Sequence, residues 1–99
     1  MGARDELIIP EGAISDAGST EVLRAWIAGG GLHVSLRPAF DTPDAWGILL
    51  ADVARHAARA FAAEKKITMA DALARIRAMF DAEWKRPTNM GTTAPAKKH

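Results

Sequence analysis

Apolar residues follow two different rhythms along this chain. In Leu32-His33-Val34-Ser35-Leu36-Arg37 they alternate strictly with polar ones. That is the period of a strand buried on one face, and Pro38 removes the next ladder donor. Elsewhere the spacing is three and four. Val22, Leu23, Trp26 and Ile27 predict a first helix beginning at Ser19. There a serine N-cap and Glu21 in the opening turn would suit the positive helix end, and Gly29-Gly30-Gly31 would close it.

Thr42-Pro43-Asp44 opens a second helix, with threonine as N-cap and proline at the first helical position. Its apolar stripe runs through Trp46, Leu49, Leu50, Val53, Ala57, Ala60 and Phe61. Gly47 inside it either weakens the first turn or admits another backbone. Thr68-Met69-Ala70-Asp71 resembles a capping box with aspartate for glutamate, and Met69, Leu73, Ile76, Phe80 and Trp84 form the face of a third helix that Pro87 stops. The short connection at Lys65-Lys66-Ile67 makes helices two and three an antiparallel hairpin. These elements predict an α+β fold, three helices packed on a small antiparallel sheet. A single domain would span residues 19–87, preceded by an extended segment at 1–18 and followed by a disordered basic tail at 88–99. A lone strand leaves its backbone groups unpaired. Leu7 to Ile9, an apolar triplet in the leading segment, could form its partner, or a second copy of the strand could.

Composition narrows the class. At 99 residues and 48% hydrophobic content the chain fits one ordinary globular domain. It has no cysteine, so disulfides and thiolate metal sites are excluded. The leading residues carry Arg4, Asp5 and Glu6 before only three apolar residues, too few for a secretory segment, and no run is long enough to span a membrane. The chain therefore reads as soluble and cytoplasmic. Residues 85–99 contribute +4 through Lys85, Arg86, Lys97 and Lys98, which subtracted from the net +1 leaves −3 for residues 1–84. An acidic body argues against a nucleic-acid surface, which would show a basic stripe.

Four blocks taken together resemble a known family: Glu21-Val22-Leu23-Arg24-Ala25-Trp26, Gly31 to Leu36, Ala45 to His56, and Ala74-Arg75-Ile76 with Phe80-Asp81-Ala82-Glu83-Trp84. In this order and spacing, from Glu21 to Pro87, they are similar to short bacterial proteins catalogued only as a domain of unknown function. The resemblance implies a bacterial source and a stand-alone domain. It carries no activity or catalytic residue to this chain.

Candidate chemistry is sparse. Asp52 and His56 share a helix face, and with His33 they could offer three ligands of the kind zinc accepts. An ordinary Asp–His hydrogen bond is the plainer reading, and no metal or cofactor is assigned. Ser35 lies mid-strand beside His33, without the strained turn a nucleophile elbow requires. Arg37, Arg55 and Arg59 could converge on an anion, but helical arginines usually line a solvated face, where Asp52 can pair with Arg55 or Arg59. Trp26, Trp46 and Trp84 each fall on an apolar stripe, as core or interface residues do.

The leading expectation is a non-catalytic interaction or structural module that forms a homodimer by pairing the strand at 31–37 with its own copy. Leu32, Val34, Leu36, Trp26 and Trp46 would make the contact. The alternative is a small-molecule or anion-binding protein, with an enzyme as one form of it, using His33, Ser35, Arg37, Asp52, Arg55 and His56.

Overall fold

In a computed structural model, described for residues 4–88 and 91–95, the chain is α+β. A short helix α1 (Glu11–Ser15) leads into strands β1 (Leu23–Ala28) and β2 (Gly31–Leu36). Two long helices follow, α2 (Asp44–Glu64) and α3 (Met69–Lys85), and then strand β3 (Thr92–Pro95).

The predicted first helix is a strand. β1 and β2 form an antiparallel hairpin with Leu23 opposite Leu36, Ala25 opposite Val34 and Ile27 opposite Leu32. Gly29 and Gly30 sit at φ +60° and +79°, the pair of left-handed positions that a tight two-residue hairpin turn demands. The glycines thus end no helix; they reverse a strand. Ser19, expected as a helix cap, instead donates its hydroxyl to the Ala13 carbonyl at 2.8 Å. Leu7 to Ile9 form no strand and stand exposed in water.

The partner of β2 on its other edge comes from the segment expected to be disordered. β3 pairs with β2 in parallel, with His33 opposite Thr92 and Leu36 opposite Pro95, so the sheet is mixed, in the order β1-β2-β3. A parallel pair needs a long crossover, and α2 with α3 provide it. Gly91 holds φ +65°, and a Cβ there would collide with the backbone carbonyl of Leu32. Glycine is what allows the returning chain so close to β2. Lys97 and Lys98 of the basic tail lie outside the described residues.

Helices two and three match their sequence signals closely. The Thr68 hydroxyl accepts the Asp71 N–H at 3.0 Å, as a capping residue should, and Arg86 ends α3 just before Pro87. At α2 the cap differs. Pro43 occupies the N-cap position, with no side chain satisfying the first turn. The two helices pack together where Ala58 and Ala72 are buried, and these are the only fully buried residues among those described.

The sheet contacts neither long helix. β1 touches β2, β2 touches β3, and α2 touches α3, and among the described residues no helix lies against the sheet. Among the described residues, then, the helices are not packed on the sheet as predicted. The consequences are visible in its dimensions. The radius of gyration is 15.5 Å, where a compact chain of this length would have about 13 Å. The exposed surface is 8855 Å² for 10.6 kDa, roughly 3,000 Å² more than a closed monomer of that mass.

The turn and the crossover make separate demands on stability. Gly30→Val forces a β-branched residue into the left-handed region and should cost about 1–2 kcal/mol in urea unfolding, whereas Gly29→Asn should be nearly neutral. Gly91→Ala should detach β3 and abolish the amide-exchange protection that pairing with β2 gives this strand, leaving α2 and α3 protected.

Candidate functional site

The strand register sorts the sheet into two unlike faces. Leu23, Ala25 and Ile27 of β1 lie beside Leu36, Val34 and Leu32 of β2, making the β1–β2 part of one face aliphatic, with Thr93 and Pro95 of β3 at its edge. Ile27 is 79% exposed there. Arg24, Trp26, His33, Ser35 and Thr92 occupy the opposite face.

That second face carries the polar contacts of the sheet. The Arg24 guanidinium donates to Glu21 at 3.1 Å and to Glu6 at 2.8 Å. Its hydrogen bond with Glu21 is the largest cause of a pKa raised above the ordinary arginine value. The same guanidinium stands 6.0 Å from the centre of the Trp26 ring, so this tryptophan belongs to the polar face rather than an apolar contact. His33 bridges strands: Nδ1 is 2.6 Å from the Thr92 hydroxyl, and Nε2 is 3.2 Å from the Ala28 carbonyl. A carbonyl only accepts, so Nε2 carries the proton in that contact. The ring thus fastens β3 to β2.

The other expected ligands lie on α2, which does not reach the sheet. Asp52 pairs with Arg55 at 3.4 Å, and His56 Nδ1 faces Arg59 Nη1, also at 3.4 Å. The anticipated Asp52–His56 bond is thus replaced by two arginine contacts along one exposed helix face. Arg37 is spent on backbone, its Nε donating to the Glu21 carbonyl at 3.3 Å. His33, Ser35 and Arg37 are therefore not gathered with Asp52, Arg55 and His56. No cluster of three or more metal-ligating residues occurs among the described residues.

A groove runs between α2 and α3. Trp46, Leu50, Leu73, Ile76, Phe80 and Trp84 are its main apolar walls, and Asp44, Arg55 and Arg77 stand among the lining residues. Gly47 and Ala51 line it too, and a Cβ on Gly47 would meet nothing within 4 Å. Phe80 and Trp84 stack with ring centres 5.6 Å apart, yet Trp84 remains 77% exposed. Sequence reasoning placed these residues on core-facing stripes but missed that they would face an open groove. The many large side chains on two neighbouring helices, in a chain with so few others to cover them, were the available signal.

Trp46 has a second task. Its indole N–H donates to the Pro38 carbonyl at 2.8 Å, and its ring meets Phe40 edge-on at 5.9 Å. The loop from Arg37 to Pro43 is thereby tied to the start of α2. Ala39 within it holds φ +67°, an uncommon conformation for a residue with a side chain.

The fold and its surfaces define a small mixed α+β domain with an apolar groove, an aliphatic sheet face and dispersed polar groups. Residues 6–88 match the family described as Domain of unknown function (DUF5076), and the chain belongs to that family. Among solved structures it is similar to a protein from the photosynthetic bacterium Rhodopseudomonas palustrus CGA009, described as a candidate pyruvate dehydrogenase. The two are 40% identical over 100% of both chains, with a TM-score of 0.74. None of the curated proteins matches it. No helix among the described residues is long and apolar enough to cross a membrane.

The exposed Asp52–Arg55 pair should be worth little. Asp52→Asn is expected to change unfolding stability by less than about 0.5 kcal/mol. His33→Ala, by contrast, should speed amide exchange in β3 while leaving the α2 amides unchanged.

Proposed function

We propose that this protein is a non-catalytic interaction module that works as a homodimer, each copy completing the hydrophobic core of the other. One observation carries the reading: with only Ala58 and Ala72 buried among the described residues, the chain leaves an aliphatic sheet face and a helix groove open to water. Ordering a chain costs about 1–2 kcal/mol per residue in backbone entropy, and burial of apolar surface is the main force that offsets it. A standard interface covers about 800 Å² on each partner, well within the roughly 3,000 Å² by which this chain exceeds a closed monomer. In this reading α2 and α3 form an antiparallel hairpin that presents the groove as a rigid unit.

The dimer contact is not an edge-to-edge pairing of residues 31–37, because β1 and β3 already fill both edges of β2. Leu32, Val34 and Leu36 contribute through the face of the sheet instead, and Trp46 through the groove. Trp26 sits on the polar face and takes no part. The alternative of an anion or small-molecule site has no comparable support, since its six residues are split between the sheet region and an exposed helix face. Dehydrogenase activity, named for the similar bacterial protein, is not adopted for this chain either. Its groove is lined mainly by apolar side chains rather than by groups that bind and transfer protons.

Light scattering across a hundredfold concentration range should give twice 10.6 kDa. Because dissociation exposes the core, the melting temperature should rise with protein concentration. Phe80→Asp should abolish both the dimer and the cooperative melt. A chain that scatters as a monomer and melts at a concentration-independent temperature would refute the reading.

A further inference from the structure

We propose that the two open apolar surfaces cover each other across the dimer: the aliphatic face of one copy's sheet lies in the α2/α3 groove of the other, twice, about the two-fold axis. The proposal rests on the homodimer reading and says which surface meets which.

Three observations favour this arrangement. The first is the inventory of surfaces. Each chain carries one flat aliphatic face, on β1 and β2, and one apolar trough, between α2 and α3. A sheet covered by helices is a standard layer architecture, with the helix stripe and the sheet face each burying the other. A reciprocal contact of this kind satisfies both surfaces on both chains with one interface, used twice. Groove against groove would leave two aliphatic sheet faces in water, and sheet against sheet would leave two grooves.

Closure within the chain is the second matter. The link from β2 into α2 is only residues 37–43, and it is held at both ends. Arg37 N–H donates to the Val22 carbonyl at 2.9 Å, and the Trp46 indole grips the Pro38 carbonyl at 2.8 Å. Pro38 and Pro43 limit backbone freedom further. So fastened, the sheet stands beside its own helices and not upon them. Short connections that hold complementary surfaces apart are the setting in which identical elements exchange between protomers.

Third, the trough has room. Gly47 presents bare backbone with nothing within 4 Å of its missing Cβ, and Ala51 adds only a methyl. Ile27, at 79% exposure, and Leu32, at 42%, project from the far end of the aliphatic face. They are the bulky groups that a floor of small residues, walled by Phe80 and Trp84, would accept.

The absence of cysteine makes the arrangement directly testable with single-cysteine variants. Ala25→Cys marks the centre of the aliphatic face, and Ala51→Cys marks the groove. Both positions are small and exposed. The two variants, one carrying a size tag, are unfolded together, refolded, and treated with a short bis-maleimide. The expected result is a mixed-size cross-linked product, with little from either variant alone. Self-cross-linking of Ala51→Cys would mean groove against groove, and self-cross-linking of Ala25→Cys would mean sheet against sheet. Either would overturn the proposal while leaving the homodimer intact. No cross-link in a sample that scatters as a dimer would overturn it as well. A monomeric mass would remove the homodimer reading itself, and this arrangement with it.

Discussion

Burial of apolar surface is the chief force available to a short chain without disulfides, and here most of it is not supplied inside the chain. Among the described residues, Ala58 and Ala72 mark the one place where two elements close on each other, and the rest are half-covered or open. The sheet has its hydrogen bonds, but backbone bonding alone gives a modest net gain, because the unfolded chain bonds to water equally well. The helices have their caps and their mutual contact, and the long apolar stripes on both still look outward. The form of the molecule follows from that imbalance, and so does the case for reading it as half of a larger core.

Within this frame β2 is the element the rest of the sheet depends on. It takes β1 on one edge through a tight glycine turn and β3 on the other through the long crossover. Its alternation does double duty. Leu32, Val34 and Leu36 define the aliphatic face, while His33 reaches across to Thr92 on the other side. One six-residue segment thereby sets the register, separates the faces and anchors the returning chain.

Much of this could be read in the sequence, and the failures have physical causes. β2, α2 and α3 were plain because each has a clean period and proper end signals, including the Thr68 cap. β1 was misread because Leu23, Ala25 and Ile27 alternate just as Val22, Leu23, Trp26 and Ile27 recur at helical spacing. Alanine is too small to make the alternation obvious, and the helical pattern drew attention from the hairpin signal in Gly29-Gly30. β3 had no pattern to find. Thr92-Thr93-Ala94-Pro95 is a strand only because β2 offers an open edge and Gly91 lets the chain approach. As for the site, the Asp52–Arg55 contact was legible from its spacing on one helix. Whether His33 would meet the α2 group depended on how sheet and helices sit together, which no local pattern encodes.

The parallel pairing of β3 also bears on the order of events during synthesis. His33 and Thr92 are 59 residues apart. At roughly 5–20 residues per second, a nascent chain would carry the β1–β2 hairpin with one edge bare for some seconds before its third strand was made. An exposed edge is a template for pairing with any extended chain nearby. The interval is thus a window of vulnerability built into the topology, one that a meander of three consecutive strands would largely avoid.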